Sequence, residues 1–181
     1  MIICITGYRP AKLPSEYGYD IHNKAWSALK RAFTDVSLFL WAQYGNTLTI
    51  YTGMALGVDQ ALAEAAFNIR EKIPNVKVVA AIPCYNHEVK WPVESRELYH
   101  KILNQCDHSI HVTKSTFTSQ CMDLRNQFMV DHSDVVIAVY DGKSGGTKNC
   151  IKYAQKKGKK IITINPSTLQ ICVCGDPWRL V

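Results

Sequence analysis

The run VVIAVYDGKSGGT, residues 135–147, decides the fold. Its first six residues, Val135 to Tyr140, are apolar at every position. A strand with one wet face alternates polar and apolar residues. A continuous apolar run is buried on both faces, which marks an interior strand of a parallel sheet with helices on either side. Asp141 to Gly146 then forms a loop, and Thr147 onward predicts a helix. A buried strand, a glycine loop and a helix N-terminus in that order favour bound anions. The first-turn amides point outward, the helix dipole is positive there, and Thr147 adds a hydroxyl. Gly145, Gly146 and Thr147 are therefore candidate phosphate ligands, with an ordinary turn as the bland alternative. The spacing of a P-loop, G-x-x-x-x-G-K-[ST], is absent.

Outward from this run, short apolar stretches alternate with amphipathic ones. Ile2 to Ile5, Leu48 to Tyr51, Val76 to Ile82 and Asp107 to Val112 predict four earlier strands. Ile161 to Ile164 predicts a sixth, and Leu169 to Val173 an edge strand. Trp26, Leu29, Phe33, Val36, Leu40 and Tyr44 recur at three- and four-residue steps, the mark of a long helix with one buried face, stopped by Gly45-Asn46. Val58 to Ile69 predicts a second helix ended by Pro74, and Leu98, Ile102 and Leu103 a third after Trp91-Pro92. Met122, Arg125, Phe128 and Met129 trace a fourth, after the polar stretch Ser115–Ser119. This alternation is that of the α/β class, a mainly parallel central sheet covered on both sides in a three-layer sandwich. In such sheets ligands bind beyond the carboxyl ends of the strands, where the strand order reverses.

The chain of 181 residues is 47% hydrophobic and 20% charged, a globular balance suited to one domain over residues 1–181. No apolar run approaches the ~18 residues that span a bilayer, so no membrane association is expected. Met1 leads straight into the first strand, with no basic region of a signal peptide before it. Seven cysteines is an odd number, and Cys4, Cys84, Cys106, Cys121 and Cys150 are scattered over apolar segments. Free thiols in a reducing compartment explain this, so a cytoplasmic location is expected. Cys172 and Cys174 lack a second pair at zinc-like spacing; neither a metal nor a cofactor is expected. The net charge of +6 is compatible with a polyanionic partner, but much of the excess lies in Lys152 to Lys160, where cations suit the end of a helix.

The other strand ends supply the remaining candidates. After strand one come Thr6, Gly7 and Arg9, a sharp turn and a planar cation suited to phosphate. After strand two, Gly53, Met54 and Gly57 allow backbone amides to face an anion, and Asp59 either accepts from ribose hydroxyls or caps its own helix. Arg125, followed by Asn126, shares a helix face with Met122 and Met129. A charge on a buried stripe needs a partner, and Asp134, Asp141 or an anionic ligand would serve. Cys84, His87, His108 and His111 have no obvious carboxylate to orient a base and read as structural or surface groups. Trp91 and Tyr99 suit either base stacking or the core.

Taken together, Ile-Thr-Gly-Tyr-Arg-Pro at 5–10 with Lys12-Leu13, Gly-Met-Ala-Leu-Gly-Val-Asp at 53–59, Arg125-Asn126 with Met129 to Asp134, and Ser-Gly-Gly-Thr at 144–147 resemble the YpsA/YoqJ-like family of the SLOG superfamily. The resemblance runs from Ile2 to about Ile164 and implies a Rossmann-like fold, a small nucleotide-derived ligand such as a nucleotide or ADP-ribose, and homo-oligomers. Lonely Guy relatives are nucleotide hydrolases that use a glutamate three residues after the threonine. Cys150 stands there, so the resemblance favours binding, with nucleotide hydrolysis of the Lonely Guy type as an alternative. DprA relatives share the Gly53–Asp59 and Arg125-Asn126 patterns and bind single-stranded DNA, which keeps a nucleic-acid partner open.

Overall fold

The computed structural model describes residues 1–118 and 120–174; Ser119, in the polar stretch before the fourth helix, and residues 175–181 lie outside the described residues. The strands are β1 (Ile2–Thr6), β2 (Leu48–Thr52), β3 (Val76–Ile82), β4 (His108–His111), β5 (Val135–Val139), β6 (Lys160–Ile164) and β7 (Ile171–Cys174). The helices are α1 (Lys24–Gln43), α2 (Val58–Lys72), α3 (Val93–Leu103), α4 (Cys121–Asp131) and α5 (Gly146–Lys156). All seven strands join one sheet in the order β4-β3-β2-β1-β5-β6-β7. Every pairing is parallel except the last, where β7 runs antiparallel to β6. The expected edge strand therefore exists, beginning at Ile171.

The apolar run of β5, Val135–Val139, is buried at all five positions. Successive side chains of a strand point to opposite faces, and β5 shows the result. Val135, Ile137 and Val139 join the larger core with Ile3, Ile5, Ile50, Trp26, Leu29, Phe33 and Leu62, against α1 and α2. Val136 and Ala138 join a second core with Cys4, Met129, Cys150, Ile151 and Ala154, against α4 and α5. The three layers, Rossmann-like in arrangement, follow from this two-sided burial. Tyr99 belongs to the larger core, and Trp91 packs against that core half-buried.

The long connection between β1 and α1 is ordered by its own apolar anchors. Leu13, Tyr17 and Ile21 are buried. The Tyr17 hydroxyl donates to the Pro166 carbonyl at 2.6 Å, and the Trp26 indole N–H donates to the Tyr17 carbonyl at 2.8 Å. Asn23 caps α1 by accepting from the Ala25 and Trp26 amides. Beyond β5 the lysine-rich stretch is largely engaged within the chain. Lys157 pairs with Asp131 at 3.0 Å, Lys159 donates to the Ser133 carbonyl at 2.7 Å, and Lys160 donates to the Tyr44 hydroxyl at 3.1 Å.

At the far edge of the sheet, one Asp107 carboxylate oxygen accepts from the Val78 amide and from Arg70, each at 2.8 Å. Partial burial alone would raise this carboxyl, but the Val78 N–H and the Arg70 guanidinium hold it below the ordinary carboxylate range. A depressed folded-state value stabilises the fold above the unfolded carboxylate range and is lost as pH falls through the folded value. Asp107→Asn should therefore be less stable than wild type at about pH 7, with the gap closing towards about pH 3 in urea unfolding. A gap that stays constant over that range would contradict this account.

Candidate functional site

The chain builds β1 to β4 outward on one side of β1, then returns to lay β5 against its other side. The loops after β1 and β5 must therefore part, and a cavity of about 390 Å³ lies between them. Thr6, Gly7, Tyr8, Arg9, Ala11 and Lys12 line it from the β1 side. Gly146 and Thr147 line it from the start of α5, Ala55 and Asp59 from the loop and helix after β2, and Met122, Asp123, Arg125 and Asn126 from α4. Hydrogen bonds tie the two parted loops at the rim. The Tyr8 hydroxyl donates to Asp141 at 2.9 Å, and the Lys12 ammonium donates to the Ser144 carbonyl at 3.0 Å. Burial by itself would raise the Asp141 carboxyl, but Lys143 at 2.7 Å and the Tyr8 hydroxyl hold it below its usual range.

At the cavity wall stands a buried ion pair. The Arg125 Nη1 donates to Asp59 Oδ2 at 3.0 Å, and both side chains are about nineteen-twentieths buried. The partner of Arg125 is thus Asp59, not Asp134 or Asp141. Asp134 instead accepts the Ile2 amide at 2.8 Å, and Asp141 is held by Tyr8 and Lys143. The same Asp59 oxygen accepts the Ala55 amide at 3.3 Å, so this carboxylate also fixes the β2–α2 loop. Burial pushes the Asp59 carboxyl up, opposed by Arg125 and the Ala55 N–H. The rest of the Arg125 head is under-used: Nε is buried without a partner, and Nη2 reaches only the Met122 sulfur at 3.9 Å.

The candidate glycines separate by what a side chain would meet. A Cβ at Gly53 would sit 1.2 Å from Arg125 Nη1, and one at Gly7 would sit 2.3 Å from Val58. At Gly57, φ is +91° and a Cβ would press on Pro10 and the Tyr8 carbonyl. These three are glycine because other parts of the chain approach them. Gly53, Met54, Gly57 and Gly145 do not line the cavity; Met54 is fully buried, and Gly145 caps α5 with φ of +138°. Gly146 differs: it lines the cavity, and a Cβ there would meet nothing within 4 Å. The first turn of α5 has no side-chain cap, so its amides are open to an acceptor in the cavity.

Of the candidate residues, Thr6, Gly7, Arg9, Asp59, Arg125, Asn126, Gly146 and Thr147 are brought together around this cavity. Sequence reading missed Tyr8, Ala11, Lys12, Ala55, Met122 and Asp123 as lining residues. Asp123 and Asn126 are three apart on α4, a helix-face spacing that could have flagged the first from the second. Lys12 gave no such signal, since its position depends on the short 3₁₀ turn Pro10–Lys12. Cys150, where a catalytic glutamate would fall in Lonely Guy enzymes, is buried, and burial raises its thiol to about 11 despite a hydrogen bond from Thr6. Such a group is not a proton donor or acceptor near neutral pH.

The family model described as the YspA SLOG family matches residues 3–169, and the chain belongs to that family. The SPbeta prophage-derived protein YoqJ of Bacillus subtilis (strain 168) is 34% identical over 122 residues, covering 61% of this chain and 71% of YoqJ. A UPF0398 protein of Bacillus thuringiensis (strain Al Hakam) is 34% identical over 164 residues, 87% of this chain and 84% of that protein. Among solved structures, DNA processing protein A from Helicobacter pylori, described for its single-stranded DNA binding mode, aligns with a TM-score of 0.58 and 22% identity. That alignment covers 91% of this chain, which spans 65% of the length of the Helicobacter protein, and it shows the shared fold. No helix among the described residues is long and apolar enough to cross a membrane.

Removing Asp59 leaves the Arg125 charge buried without its carboxylate. Asp59→Ala should cost about 3–5 kcal/mol in urea unfolding, and adding Arg125→Met in the same chain should recover most of the loss. A double variant as unstable as the single one would show that the ion pair is not what the substitution breaks.

Proposed function

We propose that the cavity between β1 and β5 binds a small phosphorylated nucleotide-type ligand, with its phosphate on the first turn of α5. The observation that carries this reading is the guanidinium of Arg125. It is buried, held by Asp59 through one nitrogen, and left with an unpartnered Nε at the wall of a cavity into which an uncapped helix N-terminus opens. Two independent sources of positive potential thus meet in one polar cleft, an arrangement that favours a dianion over water. Arg9 and Lys12 add charge at the β1 side. Gly146 permits the phosphate to approach the backbone, and Thr147 offers its hydroxyl. Asp123 and Asn126 lie on the α4 wall, where they suit the hydroxyls of a ribose. The volume falls within the range of small-molecule sites, about 300–1,000 Å³, and ADP-ribose is the finer candidate suggested by the family resemblance. Binding rather than hydrolysis is favoured because Cys150 is buried and protonated. Homo-oligomerisation and a cytoplasmic location belong to the same proposal, resting on the family resemblance and the free thiols.

A second reading is single-stranded nucleic acid, favoured by the fold shared with the Helicobacter protein and by the net charge of +6. It ranks lower because several of the lysines that make up the charge excess are engaged within the chain.

Gly146→Val places a branched side chain in open space, so it should keep wild-type stability while weakening titrated AMP, inorganic phosphate or ADP-ribose by roughly tenfold or more. Unchanged affinity for all three probes in calorimetry would refute the cradle. For the second reading, affinity for an oligonucleotide should rise with strand length and fall steeply with salt. Tight, salt-insensitive binding of one mononucleotide would exclude it.

A further inference from the structure

Cys84 follows Pro83 at the end of β3, and Cys121 is the first residue of α4. Both side chains are fully buried, and the Cys84 thiol donates to the Cys121 sulfur at 3.1 Å. A disulfide needs an S–S separation of about 2.05 Å, so an approach of about 1 Å would close one. The other cysteines are differently placed. Cys4 sits against Ser133, Cys106 against the Ile102 carbonyl, and Cys172 and Cys174 are exposed two residues apart on β7. Burial, followed by the neighbouring Cys121, pushes the Cys84 thiol up to about 11, which keeps the pair reduced while it stays covered.

The Thr118 backbone hydrogen-bonds the Cys84 thiol, and Thr118 ends an exposed segment. Residues 114–118 are exposed, and Phe117 is 59% accessible. The segment is fastened by the Ser115 carbonyl accepting the Tyr85 amide at 3.0 Å, by Thr113 donating to the Pro83 carbonyl at 2.7 Å, and by the bridge between Tyr85 and Thr116. Such a solvated stretch opens at a small fraction of the cost of global unfolding. The helix that begins at Cys121 carries Met122, Asp123, Arg125 and Asn126, the whole α4 wall of the cavity.

We infer that Cys84 and Cys121 are an oxidation site that forms a disulfide when hydrogen peroxide reaches them, and that the bridge repositions the α4 wall of the ligand cavity. The second half rests on the cradle reading above. One sulfur, as thiolate, attacks a peroxide oxygen; the O–O bond breaks and water leaves once the displaced hydroxide takes up the thiol proton. The other sulfur attacks the resulting sulfenic acid, forming the S–S bond and expelling a second water that includes its own proton. Two thiols are oxidised and one peroxide is reduced to two waters. Closing the bridge draws the start of α4 towards the end of β3, away from the first turn of α5 on the far side of β1. Reduced protein therefore binds phosphate more tightly than oxidised protein.

The test uses the full chain with Cys172→Ser and Cys174→Ser, which removes the exposed thiols. Hydrogen peroxide should lower the intact mass by about 2 Da and yield a peptide linking Cys84 to Cys121. Amide exchange should slow over residues 120–126, and the Kd for inorganic phosphate should rise roughly threefold or more, all reversed by dithiothreitol. Adding Cys84→Ser should abolish these responses. Sulfinic acid at either residue without a cross-link, or no reaction, overturns the oxidation site. A closed bridge with unchanged phosphate affinity and unchanged exchange in α4 overturns the coupling. Reduced protein that binds no phosphate refutes the cradle instead, and the mass and exchange measurements still judge the bridge.

Discussion

Burial of β5 on both faces constrains everything else. A strand with no wet face needs a helix layer on each side, and parallel neighbours can be joined only by crossovers long enough to supply those layers. The chain meets this demand by winding α1, α2 and α3 over one face and α4 and α5 over the other. Four strands are laid in one direction before β5 returns to the far side of β1. The loops after β1 and β5 then lead to opposite faces and leave a cleft between them. The site is a consequence of how the core is covered.

Within that cleft the ion pair of Arg125 and Asp59 joins α4 to α2 across the carboxyl end of the sheet. Two buried charges gain little net stability as a pair, but separating them is costly, so the pair fixes the relative position of the two helices more than it strengthens the fold. It also explains Gly53, whose missing side chain is the space that Nη1 occupies. Motif glycines at a strand end are therefore of two kinds. Gly7, Gly53 and Gly57 serve the chain's own packing, while Gly146 lines the cavity with empty space above it. The same helix that carries Arg125 begins at Cys121, so α4 links the buried pair of sulfurs to the cavity wall.

Sequence alone determined the class of fold and the order of its elements. Periods of two and about 3.6 residues are set by backbone geometry, and the core here is apolar enough to display them. It also determined that Gly145-Gly146-Thr147 opens a helix after a buried strand, because that context is local. Tertiary structure decided what the local patterns left open. Arg125 found Asp59, 66 positions away, rather than the aspartates nearer in the chain, because α2 and α4 converge over the same strand ends. Lys12, Asp123 and Ala55 became lining residues, and Tyr99 became core, for the same reason. Periodicity reports which face of an element is buried. What that face meets depends on crossovers spanning dozens of residues, and a one-dimensional pattern carries no measure of those distances.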